Sequence, residues 1–201
     1  MRICLFLFCC SFAWAGDGFV SLMPKRDIAE HWMIDGRAPA EAWTLRHGMI
    51  ACTGQPNGFL RSKKSYRNYV LRAEWRFQLG WEPKGKAEWP NAGFFIHAHE
   101  VDNGWPKSFE VQGYFGEAGS LFGVRGGKIT GAKRGDFVKD RTPFGSWDKY
   151  EITSLNGVVK VVLNGVLVNE GRDADPAEGN ICLQSEGWPV YYRNVAVKEL
   201  K

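Results

Sequence analysis

Short runs in which apolar and polar residues alternate, separated by Gly, Pro, Asn and Asp, make up most of this chain. The clearest are Trp43 to Cys52, Tyr69 to Leu79, Ala92 to His99, Ser108 to Phe115, Trp147 to Ser154, Val158 to Leu163, Asn180 to Ser185 and Val190 to Glu199. Alternation of this kind marks strands with one buried face, and no run of helical period separates them. Asn156-Gly157 and Asn164-Gly165, flanked by Val and Leu, predict two consecutive tight hairpins. A short helical turn is expected around Asp27 to Trp32. There is no internal repeat and no domain boundary after residue 16, so residues 16–201 read as one all-β domain, a sandwich or barrel.

Period-2 reading assigns a face to each side chain. Leu71, Ala73, Trp75 and Phe77 oppose Arg72, Glu74, Arg76 and Gln78; Phe94, Ile96 and Ala98 oppose Phe95, His97 and His99. Phe109 and Val111 oppose Glu110 and Gln112, and Ile181 and Leu183 oppose Cys182, Gln184 and Glu186. If these four strands share one sheet, its outer face gathers Glu74, Arg76, His97, His99, Glu110, Gln112, Gln184 and Glu186, bordered by Trp81, Trp89, Trp105 and Trp188. Two stretches, 80–93 and 122–147, are longer than hairpins need and rich in Gly, Lys, Arg and Trp, as loops that rim a site are.

Composition narrows the setting. The first residues, Met1-Arg2, an apolar stretch from Ile3 to Trp14 and an Ala13-Trp14-Ala15 site, describe a secretory signal peptide over residues 1–15. The expected location is therefore extracytoplasmic, periplasmic or secreted. The formal charge of +4 is spread along the chain, with no basic block to bind nucleic acid or a membrane surface. Past the signal only Cys52 and Cys182 remain, and both pairing and two buried thiols are compatible with that setting.

A sugar offers many hydroxyls and one apolar face, so a face mixing amides, carboxylates and tryptophans suits one. The plain alternative is a solvated sheet face with scattered tryptophans. His97 with His99 on one strand would suit a divalent metal only if Glu110 or Glu74 supplied a third ligand, so the metal question stays open. The Glu-x-Asp-x-x-Glu pattern of jelly-roll glucanases is absent after Glu110, where Gln112 and Phe115 stand.

"NAGFFIHAHEVDNGWPKSFEVQ", "WDKYEITSLNGVVKVVLNGVLV" and "GNICLQSEGWPVYYRNVAVKEL", with the opening "GFVSLMPKRDIAEHWMIDG", resemble the 3-keto-disaccharide hydrolase family over nearly the whole domain. The resemblance implies a two-sheet antiparallel jelly-roll sandwich, concanavalin A-like, and hydrolysis of glycosides whose sugar carries a ketone at carbon 3. Such a ketone acidifies the carbon-2 proton. A base can then remove it, the carbon-1 substituent leaves, and water adds to the enone, with no cofactor required. On this reading Glu110 or His97 is the base, and Gln112, Arg76 or Lys128 donates to the enolate. Asn91, Gln184, Glu186 and Arg193, with Glu74 and His99, contact the sugar or support those that do, and Trp105 stacks on it. The partner is an oxidised carbohydrate. The competing expectation is a non-catalytic carbohydrate-binding module on the same face.

Overall fold

The structure, a computed structural model, describes residues 18–35, 38–78, 89–99, 104–135, 137 and 142–201. The expected signal segment, Trp81 and most of the 80–93 loop lie outside these residues.

Among the described residues, fifteen strands follow one another. They are β1 (Val20–Ser21), β2 (Trp32–Asp35), β3 (Trp43–Arg46), β4 (Met49–Cys52), β5 (Gly58–Tyr66), β6 (Tyr69–Phe77), β7 (Gly93–Ala98) and β8 (Ser108–Gln112), then β9 (Leu121–Val124), β10 (Lys128–Thr130), β11 (Asp148–Leu155), β12 (Val158–Leu163), β13 (Val166–Asp175), β14 (Gly179–Ser185) and β15 (Val190–Glu199). The helical turn expected near Asp27 is a 3-10 turn over Ile28–Glu30, closed by a capping box in which Asp27 accepts from the Ala29 N–H and Glu30 reaches back to the Asp27 N–H.

The strands form two antiparallel sheets. One has nine strands in the order β10-β13-β12-β11-β6-β15-β4-β3, with β1 beside β15; the other has six in the order β2-β5-β14-β7-β8-β9. Their apolar faces meet in one core built from the positions that alternation assigns inward: Leu71, Trp75, Phe94, Ile96, Phe109, Val111, Ile152, Ile181, Leu183 and Val197. Each large side chain buried there contributes about 1.5–3 kcal/mol against exposure.

Both Asn-Gly pairs form the expected hairpins. Asn156 and Gly157 have φ of 50° and 78°, and Asn164 and Gly165 have 51° and 90°. Both residues of each turn are left-handed, the geometry whose twist matches paired strands. The same geometry at His47-Gly48 splits the expected Trp43 to Cys52 strand into the β3–β4 hairpin, and at Arg125-Gly126 it folds the start of the supposed 122–147 loop into β9 and β10.

The main correction concerns β6. It lies between β11 and β15 in the nine-stranded sheet, not beside β7, β8 and β14. Its polar face therefore points away from theirs, on the opposite side of the sandwich. Glu74 and Arg76 are removed from the expected face by that one assignment, and Arg193 of β15 goes with them.

Candidate functional site

The outer face of the six-stranded sheet is set by register. Glu110 of β8 lies opposite Phe95 of β7, which lies opposite Cys182 of β14; one step along, Gln112 lies opposite Gly93, and Gln184 opposite Phe59 of β5. Glu110, Gln112 and Gln184 therefore converge across three adjacent strands. Alternation beyond the strand ends adds Glu186 after β14 and Asn91 before β7. Gly93 makes the convergence work, because a Cβ there would meet Gln184 Oε1 at 2.4 Å. Two tyrosines of the other sheet hold the backbone beneath: Tyr150 Oη donates to the Gln112 carbonyl at 2.5 Å and Tyr192 Oη to the Gln184 carbonyl at 2.7 Å.

This face is polar yet withdrawn from water. Glu110 is 8% exposed, Gln112 6% and Gln184 0%. Burial pushes the Glu110 carboxyl above the usual range, opposed by the amides of Gln184 and Gln112 and by the Arg134 charge. Glu186 is pushed up to about 8, first by burial and then by the charge of Glu110. The two carboxyls thus sense each other, and the pair holds one proton more readily than none at neutral pH. Gln184 Nε2 and Oε1, Glu186 Oε2 and Asn91 Oδ1 are buried and reach no partner at hydrogen-bond geometry. The Gln184 amide is near enough to favour the Glu110 carboxylate but not aligned to bond it. Buried polar atoms without partners cost about 1–3 kcal/mol each, a cost that a hydroxyl-rich ligand removes.

Aromatic groups flank the cluster. Trp105 packs on Phe95 and Phe59, at ring centroid distances of 5.3 and 6.1 Å, and so stands over the strands that carry Glu110's and Gln184's neighbours. Trp89 packs against Phe115 and Tyr114 at 5.4 and 6.2 Å. Trp188 instead rests on the intersheet core.

Several expected members are elsewhere. His97 sits in a β-bulge, where Ile96 and His97 together oppose Ile181, and its φ of 51° turns its ring inward. There Nδ1 lies 2.8 Å from the Pro176 carbonyl and Nε2 3.0 Å from Ser154 Oγ, with Tyr69 and Phe109 edge-on to the ring. Burial lowers its affinity for a proton, as for a neutral histidine packed as structure. His99 is exposed, with Nε2 3.1 Å from the Glu178 carbonyl, so the two histidines do not act as a pair. Among the described residues no three His, Cys, Asp or Glu side chains are grouped to hold a metal.

Glu74 and Arg193 form an ion pair at 2.7 Å on the far side of the sandwich. Asn194 also donates to Glu74, and the guanidiniums of Arg193 and Arg76 lie 3.9 and 4.8 Å from the Trp147 ring. Lys128 is exposed on β10, an edge strand of the nine-stranded sheet opposite Asp175. The cation that does approach Glu110 is Arg134, which lies over the Phe122 ring at 4.3 Å and bonds Glu117 at 2.8 Å. Phe122 is Glu110's partner in β9. Sequence reading passed over Arg134 because nothing in a Gly-rich stretch fixes which base returns to the sheet.

Cys52 and Cys182 are buried, one in each sheet, and form no disulfide. A cleft of about 720 Å³ lies away from the carboxylates between β2 and β3, lined by Trp32, Trp43, Ile28 and Leu45 with Arg26 and Lys63. Its lining holds one carboxylate, Asp27, and no acid pair, so chemistry rather than volume makes the face of the six-stranded sheet the candidate site.

With this geometry in place, comparison with known proteins becomes informative. The sequence profile described as the 3-keto-alpha-glucoside-1,2-lyase-like domain matches residues 18–198. Among curated proteins no sequence matches. Similar solved structures include a Parabacteroides distasonis protein assigned as a glycosyl hydrolase, 18% identical, covering 92% of this chain and 95% of that one at a TM-score of 0.67. The carbohydrate-binding module CBM66 of Bacillus subtilis is 12% identical over 84% and 96%, at 0.60, and the Bacillus licheniformis β-glucanase 10% identical over 92% and 100%, at 0.59. At these identities the likeness speaks for the fold, the two-sheet jelly roll of concanavalin-like glucanases and lectins.

Proposed function

This chain belongs to the 3-keto-alpha-glucoside-1,2-lyase-like domain family, and from that premise we propose that the outer face of the six-stranded sheet cleaves glycosides whose sugar is oxidised at carbon 3. The observation that carries the reading is the Glu110–Glu186 pair, one carboxyl sensing the other's charge beside four partnerless polar atoms.

The chemistry assigns the pair opposite duties. Glu110, whose ionised form Arg134 and two amides favour, takes the proton from carbon 2. The C–H electrons form the carbon 1–carbon 2 double bond, and the bond from carbon 1 to the leaving oxygen breaks with its electron pair. Glu186, protonated at neutral pH, supplies the proton that oxygen needs. Gln184, Gln112 and Arg134 are the donors in reach of negative charge growing on the ketone oxygen. In the return step water adds at carbon 1, gives its proton to Glu186, and Glu110 restores its proton to carbon 2. Both carboxyls end as they began. Asn91 meets a sugar hydroxyl and Trp105 its apolar face. The expected signal segment supports an extracytoplasmic setting for this work.

The test is turnover of a 3-keto-disaccharide beside its unoxidised parent. Cleavage of the keto sugar alone supports the elimination; equal cleavage of both, or of neither, contradicts it.

A second reading, a carbohydrate-binding module without catalysis, is favoured by the likeness in fold to CBM66. Saturable binding of a disaccharide with no product over a day would select it.

A further inference from the structure

Trp105 has a second side. Where it leaves Phe59 and Phe95 it lines, with Asn57, Gly58, Gly104 and Arg125, a cleft of about 240 Å³. Asn57 and Gly58 run directly into Phe59, the register partner of Gln184, so this cleft adjoins the glutamine end of the site. A glycoside has two parts, and a cleft sharing a tryptophan wall with the sugar site is where the departing part would lie.

Arg125 decides what that part is. It makes no ion pair with any described residue, while Arg134 is paired with Glu117 and Arg61 of β5 donates to Asn180. Arg125 also occupies the first central position of the β9–β10 turn at a φ of 48°, where Asn, Asp or Gly would fit without strain. An arginine in such a position costs stability that the turn itself does not need. Its guanidinium reaches back toward Gly104, where a Cβ would meet Nη1 at 3.2 Å, so the side chain, although exposed, forms one wall of the cleft and brings its charge to it.

We infer that this cleft is a leaving-group subsite selective for an acidic ring, a uronate whose carboxylate the Arg125 guanidinium meets bidentately while Asn57 meets a hydroxyl and Trp105 stands as the wall shared with the sugar site. The inference rests on the proposed sugar site, since it assigns the second half of the same ligand. Planar, two-pronged contact with a carboxylate is the task that arginine performs and lysine does not.

The experiment compares a 3-keto-glucosyl glucuronate with the matching 3-keto-glucosyl glucose, on the full chain and on Arg125→Asn, a substitution that suits the turn and removes the charge. The expected result is a KM about tenfold lower for the acidic compound in the unsubstituted protein, abolished in R125N, with kcat and KM for the neutral compound unchanged. Equal KM values for the two compounds, or a preference that survives in R125N, overturn the inference. If neither compound is cleaved, the catalytic reading fails on its own, and calorimetry with the unoxidised pair still decides the subsite: acid preference lost in R125N supports it, and no preference overturns it.

Discussion

Gln184 occupies the space that any side chain at position 93 would fill: a Cβ on Gly93 would stand 2.4 Å from Gln184 Oε1, with the Val111 carbonyl at 3.0 Å behind it. Gly93 is in β7 and Gln184 in β14, so a missing atom on one strand lets the amide of the next lie toward Glu110 on the third. Gly93→Ala is expected to swing the amide aside and lower kcat about tenfold or more, while the flexible end of Gln184 absorbs the clash and the protein stays folded. Steady-state kinetics with a thermal melt checks it; unchanged kcat would mean that the amide's place does not matter.

Glu186 links the site to stability. Its carboxyl is near 8 in the fold against 4.5 in the open chain, so between those values the folded state binds the extra proton. Stability from this group is full below pH 4.5 and is lost as pH rises toward 8. Glu186→Gln, which cannot ionise, should gain on the unsubstituted protein by about 1–3 kcal/mol between pH 5 and pH 8 in urea melts. The same substitution removes the acid and should depress kcat, and the fall in activity expected of the unsubstituted protein above pH 8 should vanish with it.

His97 follows the opposite sign. Burial lowers its folded value below 6.5, so its contribution is present above 6.5 and is lost as pH falls below that. His97→Ala removes the link from β7 to Ser154 of β11 and to the Pro176 carbonyl, and opens a hole between Tyr69 and Phe109. A loss of about 2–4 kcal/mol is expected, with turnover per folded molecule retained. Lost turnover in protein that is still folded would restore His97 as a candidate base.

Glu74 and Arg193 lie on the far side of the sandwich, so Arg193→Ala should leave kinetics unchanged. It strands a buried carboxylate and should cost about 1–3 kcal/mol in a denaturant melt. A change in KM for the keto sugar would place the ligand on that side instead.

Such contrasts mark what the sequence could reveal. Alternation fixed which side of its strand each residue of β6, β8 and β14 takes, because one apolar face of each meets the core. It could not tell that β6 pairs with β11 and β15, since pairing is decided by contacts distant along the chain, and Glu74 and Arg76 were misplaced for that reason. His97 was misread because one extra residue in a bulge reverses the face of those near it, and period 2 carries no mark of that. The Asn-Gly turns were legible because both demand left-handed backbone. His47-Gly48 and Arg125-Gly126 adopt it without such residues leading, so the β3–β4 hairpin and the turn that carries the chain from β9 in one sheet to β10 in the other passed unread.

The most direct test of the account is Glu110→Gln assayed on a 3-keto-disaccharide, with solvent exchange at carbon 2 followed by deuterium incorporation. The account predicts a fall in turnover of about 10²-fold or more and a parallel loss of exchange, in a protein that melts like the original. Exchange and cleavage at the original rates would contradict it.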